Sequence, residues 1–398
     1  MWSGNSAQPM VDIAVIGSGM IGSATARYLA ESGMSVTLVG PGPPTPDPDR
    51  VVYASHFDEA RITRRLDKDV HWGELAHRSM KAYAELERRS GIRFHKPVGF
   101  LGIDLSPEES VARTARKNRV PHEVLTNQEM SARFPFLAPR PDAIKRWERA
   151  PAGYIAPLRM VEAQIQVASQ FGCRYLRTVA TRVRRSRSGF SIQLAEGGEL
   201  RSAKVVVSTG AFTPFFRLLP DPVRLLVRPE TVLLLRVPES AEDAFRQMPS
   251  IVTDFAPGGP VPYAYILPPV VYPDGHSYIK IGADHDHDII LESLEEVGAY
   301  FRSNGSEKTA SSLRAVMNDV IPGTRGWETT TKPCVLTYTP GRYPYIAEVG
   351  KDWFIATGGN GQGAKSSDAI GHLTAMLVVR GVWEDELDEA LFAISEQD

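Results

Sequence analysis

The sequence predicts an α/β fold in which a doubly wound domain is interrupted by a second domain with a mainly antiparallel sheet. Three features predict it. A G-x-G-x-x-G turn lies between a short apolar run and a helical pattern within the first forty residues. The stretch from about 224 to 320 reads as strands joined by turn residues, and a second glycine cluster precedes the last helical pattern.

The chain opens with "VDIAVIG", a β-rich run. "GMIGSATARYLAESG" follows, with Ile21, Thr25, Tyr28 and Leu29 at helical spacing and Gly33 as its stop, and "MSVTLVG" is a second strand. Together they form a βαβ unit, the start of a Rossmann-type sheet. In "GSGMIG", Gly17 permits the tight turn, Gly19 lets the backbone approach a pyrophosphate, and Gly22 lets helix and strand pack closely, so that the helix N-terminus faces the anion. The second strand ends at Gly40, where such folds usually carry an acidic residue for the ribose hydroxyls. The glycines do not distinguish NAD from FAD.

"PGPPTPDPDR", residues 41–50, is loop, because proline removes backbone donors and fixes φ. "HWGELAHRSMKAYAELERRSGI" is a helix closed by Gly91, and "APLRMVEAQIQVASQFG" is another, running from about Ala156 to Gly172. "GFSIQLAEGG" and "AKVVVSTGAF" are strands, the latter apolar on both faces and therefore central. "LLVRPETVLLLRVP" and "YAYILPPVVYPDGHSYIKIGAD" read as antiparallel strands, with "YPDGHS" as a hairpin turn, and "SLEEVGAYFRSN" as the helix leading back to the final segment. The first domain is thus expected over residues 1–95, 150–223 and 321–398, and the second over 96–149 and 224–320.

With 45 basic against 47 acidic side chains and a net charge of -2, the 398-residue chain has no electrostatic footprint for nucleic acid or an anionic membrane. A small molecule is the expected partner. Cys173 and Cys334 are too few for a disulfide framework or a thiolate metal site. The polar opening "MWSGNSAQP" and the glycine-broken run after it add to the expectation of a soluble, cytoplasmic protein. "DHDHD", residues 284–288, offers two histidines, short of a three-ligand catalytic site, so no metal is expected.

Two lysines stand out. Lys280 shares a strand face with Tyr278 and Gly282 while Ile279 and Ile281 occupy the other, and burying an unpaired ammonium is expensive. Lys365 ends the cluster "TGGNGQGAK" at a helix start, where a cation opposes the dipole and asks for an anion nearby.

Taken together, the chain from "VIGSGMIGSATARYLAESG" to "GGNGQGAKSS" resembles the monomeric sarcosine oxidase family, in the D-amino-acid oxidase superfamily of FAD enzymes. The resemblance implies a Rossmann-type FAD-binding domain interrupted by a substrate-binding domain, and a monomer. It implies oxidation of a secondary amine bearing a carboxylate, such as sarcosine, another N-alkyl glycine or a cyclic imino acid, with molecular oxygen as final acceptor, giving imine and hydrogen peroxide. "AKVVVSTGAFTP", with Gly210, resembles a second flavin motif of FAD enzymes. The family's Cys-x-x-Thr-x-Thr-Pro pattern matches Cys334, Thr337, Thr339 and Pro340, which implies FAD held covalently through Cys334, although Leu336 stands where the family commonly has an aromatic residue. By the same resemblance Ser55, His56 and Arg61 lie against the flavin, Gly358, Gly359, Gly361 and Gly363 lie beneath it, and Arg64 and Lys365 bind the substrate carboxylate. Tyr265 contacts the substrate, and Lys280 stabilises superoxide over the flavin. Two alternatives stay open: a flavin dehydrogenase of the same fold with a non-oxygen acceptor, and a nucleotide-binding protein that has lost its chemistry.

Overall fold

A computed structural model describes residues 10–43, 50–105, 109–255, 261–283 and 289–394. The strand Val11–Ile16 enters the helix Met20–Glu31 through Gly17, Ser18 and Gly19, and the chain returns as the parallel strand Val36–Val39. Gly33, at φ +89°, takes the left-handed conformation just beyond the helix. On the other side of the first strand lies Glu199–Val207, parallel to it, with Val15 opposite Val206. This strand is central, as its apolar faces require: its first half pairs antiparallel with Gly189–Leu194 and its end pairs parallel with Trp353–Thr357. The eight-stranded sheet therefore draws on both ends of the chain.

Three helices, Met20–Glu31, Pro157–Gln170 and Gly363–Arg380, pack together beside this sheet. Between them Asp368 accepts from Arg27 Nη2 at 2.9 Å, Gln164 Nε2 at 2.7 Å and the Tyr28 hydroxyl at 2.8 Å. A buried carboxylate is tolerated only with such a full set of donors.

The second sheet also has eight strands and is mainly antiparallel. In spatial order it runs Thr329–Tyr338, Leu226–Arg236, Ser277–Ala283, Tyr263–Val271, Ser250–Asp254, Phe100–Asp104, Ile144–Glu148, Glu123–Leu125, with one parallel pairing between Ser250–Asp254 and Phe100–Asp104. Leu233, Leu235, Ile279 and Ile281 form a core with Leu313, Val316 and Met317 of the helix Glu307–Val320, while Leu234 and Tyr278 pack with Tyr272 in another cluster. The alternation read from the sequence is thus observed, and Lys280 points away from that core. The helix Glu307–Val320, which the sequence reading does not single out, is capped by Ser306, whose hydroxyl accepts from Thr309 N–H. A three-stranded sheet, Arg61–Thr63, Gly153–Ile155 and His95–Lys96, completes the architecture.

No helix among the described residues is long and apolar enough to cross a membrane. Residues 284–288 lie outside the described residues, and among the described ones no three His, Cys, Asp or Glu side chains gather as metal ligands.

Candidate active site

A cavity of about 1280 Å³, counting its open mouth, lies over the glycine turn. Gly17, at φ +111°, has no room for a side chain, because a Cβ would sit 2.2 Å from Ser208 O, and a Cβ on Gly22 would sit 1.8 Å from Gly17 O. Gly19 differs: its nearest neighbour would be His56 Nδ1 at 4.0 Å, so its backbone stands open to the cavity. The helix that follows has neither a side-chain cap nor an acid in its first turn, leaving its N-terminal donors for an anion such as a pyrophosphate. Gly40 also has a reason. A Cβ there would meet Ser18 Oγ at 2.3 Å, and Tyr175 donates to Pro41 O at 2.8 Å, so this corner has no space for a ribose-binding acid.

Ser55, His56, Arg61, Gly210, Gly358, Gly359, Gly361 and Gly363 all line this cavity. Burial, with help from Arg61 and Arg50, pushes the His56 imidazole down to about 3, so it is a neutral hydrogen-bonding group. The glycine loop is knitted to the turn before it: Asn360 N–H donates to Thr337 O at 2.8 Å, Thr339 N–H to Asn360 Oδ1 at 2.9 Å, and Gly359 N–H to Thr337 Oγ1 at 3.3 Å. This is what the two threonines after Cys334 do locally.

A second cavity of about 1410 Å³ joins the first at Arg61, Leu336, Gly361 and Ala364. Its walls include Phe100, Asp104, Arg146, Val252, Asp254 and Tyr263 of the second sheet. Arg64, Tyr265, Cys334 and Lys365 line it as well. Cys334 is buried opposite Glu230 in the strand pairing, with Arg61 Nη2 donating to its sulfur at 3.5 Å, close to where the two lobes meet. Tyr265 lies across Gly282, where a Cβ would reach 2.2 Å from its hydroxyl, and burial holds its phenol well above the ordinary value.

Arg64 and Lys365 come together, and a carboxylate already lies between them. Asp67 Oδ2 accepts from Arg64 Nη1 at 2.8 Å and from Lys365 Nζ. Lys280 is placed differently from the other candidates, since it lines neither cavity. Its ammonium donates to Asp58 Oδ2 at 2.8 Å and to Ala60 O, while Asp58 also meets Arg61 and takes the Tyr272 hydroxyl at 2.9 Å. Burial, Arg61 and Lys332 hold Lys280 well below the ordinary lysine range, against a smaller opposite pull from Cys334 and Glu230, while Asp58 is the carboxylate in direct contact with it.

The sequence reading does not single out Asp58 and Asp67. Their signal is the pair of spacings Asp58-x-x-Arg61 and Arg64-x-x-Asp67, which puts an acid three residues from each arginine in a loop that otherwise reads as solvated charge.

A family model described as DAO, FAD dependent oxidoreductase, matches residues 12–377. Monomeric sarcosine oxidase of Streptomyces avermitilis is 31% identical over 218 residues, 54% of this chain and 54% of its own length. N-methyl-L-tryptophan oxidase of Yersinia pestis is 26% identical over 208 residues, 50% of this chain and 54% of its own. The chain thus spans about half the length of these curated relatives. The solved L-proline dehydrogenase from P. horikoshii shares the fold, with a TM-score of 0.77 at 18% identity over 97% of both chains.

Proposed function

The chain belongs to the family of FAD-dependent oxidoreductases, and on that premise we propose that it oxidises the CH–NH bond of a secondary amine bearing a carboxylate. The observation that carries the reading is the convergence of Arg64 and Lys365 on one carboxylate in the lobe that adjoins the glycine-lined cavity. FAD fits that first cavity: Gly17 and Gly22 close the turn, Gly19 leaves it open, and the N-terminal donors of the helix Met20–Glu31 await an anion. Ser55, His56, Arg61 and the loop Gly358–Gly363 would hold its ring system, with Cys334 as the point of covalent attachment. FAD held there would supply the acceptor for the hydride leaving the carbon next to nitrogen, and with molecular oxygen as final acceptor the products would be an imine and hydrogen peroxide.

The chain's own residues bind and orient. Arg64 and Lys365 fix the carboxylate of the amine, and Phe100, Val252 and Tyr265 supply walls that limit the water reaching the reacting carbon. The amine must arrive unprotonated for its lone pair to drive the hydride out. Sarcosine, other N-methyl amino acids and cyclic imino acids share this chemistry and are the proposed substrate class.

One observation favours a second reading, in which the acceptor is not oxygen. Lys280 is the cation assigned to superoxide, yet its charge is matched by Asp58 and its side chain lines neither cavity. A panel of N-methyl and cyclic amino acids decides between the two. Peroxide formed in air in step with substrate consumed supports the oxidase. Reduction of an artificial dye without peroxide supports the dehydrogenase, and no turnover of any member with either acceptor refutes both.

A further inference from the structure

We propose that Asp67 is a positioning residue of the anion clamp: it keeps Lys365 as an ammonium and turns Arg64 so that its Nε–Nη2 edge is left for a ligand's carboxylate. The proposal rests on reading the second lobe as a carboxylate site.

Asp67 and Lys365 are each only 4% exposed. Asp67 Oδ1 accepts from Asp69 N–H at 3.0 Å, which fixes the carboxylate, and Oδ2 takes both cations. Arg64 spends Nη1 on Asp67 and on Leu66 O, whereas its Nε and Nη2 have no partner among the described residues. The side chain lines the cavity, so what it offers there is the planar two-donor edge that matches a carboxylate.

Lys365 is under opposite pressure. It is the third residue of the helix Gly363–Arg380, where the dipole disfavours a cation, and burial disfavours any charge. The groups around it come from several elements. Asp67 favours the ammonium and Arg64 opposes it, both from the segment after Arg61–Thr63. Glu148, at the end of Ile144–Glu148, favours it from farther off and is itself engaged by Arg65 Nε at 2.8 Å and by Leu66 N–H at 2.9 Å. Tyr83, from the helix Val70–Ser90, donates to the lysine's carbonyl oxygen at 3.3 Å, and Asp368 on the lysine's own helix is turned to Arg27 and Tyr28. Burial brings Lys365 down to about 8 against the pull of Asp67. Two cations and one fixed carboxylate leave a single positive charge for the substrate to neutralise. Without Asp67 the lysine has no anion in contact among the described residues, and the clamp falls to Arg64 alone.

The test titrates purified protein, calorimetrically and over a series of pH values, with propionate, which cannot undergo the amine chemistry, and with propionamide as its neutral counterpart. Wild-type protein should prefer propionate, with an affinity that falls above a break near pH 8. Asp67→Asn should move that break downward by about one pH unit or more, and Asp67→Glu should return it toward the wild-type position. The level of the low-pH plateau is not the readout, because removing an acid also removes a repulsion. If Asp67 merely supported the fold, Asp67→Asn would change affinity at every pH and leave the break in place, and that result overturns the proposal. If wild-type protein shows no preference for propionate over propionamide, the carboxylate reading itself fails. Should Asp67→Asn not fold, Lys365→Met carries the test: the break must vanish, and a break that survives belongs to another group and overturns the proposal.

Discussion

Exchanging Asp58 for asparagine removes the carboxylate that Lys280 and Arg61 share, with Lys332 Nζ 3.8 Å away. Asp58 and Lys280 are each 1% exposed, so neither recovers water when its partner is lost. Removing one partner of a buried pair costs about 3–5 kcal/mol. Lys280 keeps Ala60 O as an acceptor, which sets the expected loss for Asp58→Asn near the lower end, about 3 kcal/mol. Lys280→Met is not the mirror image. It leaves Asp58 with Arg61 and the Tyr272 hydroxyl, and it buries a thioether where an ammonium had to be desolvated, so its cost is about 1 kcal/mol. In the double variant no ammonium is stranded, and its loss should be smaller than the sum of the two by at least about 1 kcal/mol. Urea unfolding of the four proteins, compared at equal slope, measures each term. Additive losses, or a Lys280→Met protein as unstable as Asp58→Asn, would show that this ion pair is not what holds Lys280.

Two further outcomes are expected at the proposed FAD site. If Cys334 carries the flavin, acid-denatured protein should keep its yellow colour and weigh more by one FAD, while Cys334→Ala folds and releases its flavin; free flavin from the unaltered protein rules the attachment out. Gly22→Ala should fail to give stable protein because its Cβ would lie 1.8 Å from Gly17 O, whereas Gly19→Ala, with nothing nearer than 4.0 Å, should fold and lose FAD affinity. Equal stability of the two would contradict the packing role given to Gly22.

What the sequence discloses is local. The glycine turn, the strand and helix around it, the left-handed Gly91 at a helix end and the alternation that buries Ile279 and Ile281 all depend on neighbours within a few residues, and each is found as read. The helix Glu307–Val320 was legible too, since Ser306 precedes Leu313, Val316, Met317 and Val320 at helical spacing. The partners of the two lysines were not. Lys280 meets Asp58 across 222 residues of sequence and Lys365 meets Asp67 across 298, and no periodic pattern links such positions. Gly40 shows the same limit at shorter range, because it reads as a missing acid until Ser18 is seen filling the space.

The pairing of Val15 with Val206 has a consequence for how the chain is made. About 190 residues separate the two, and at a ribosomal rate of roughly 5–20 residues per second the first strand waits on the order of 10–40 s for its central neighbour. The strand Trp353–Thr357 and the helix Gly363–Arg380, which close the same sheet and pack on the first helix, emerge later still. During that interval one edge of "VDIAVI" stays open to any other extended chain, so a nascent molecule is most exposed to misassembly while the residues between the two strands, 96–149 among them, are being synthesised. Slowing translation within residues 96–149 would lengthen that exposure, and the same pause placed after residue 380 would not.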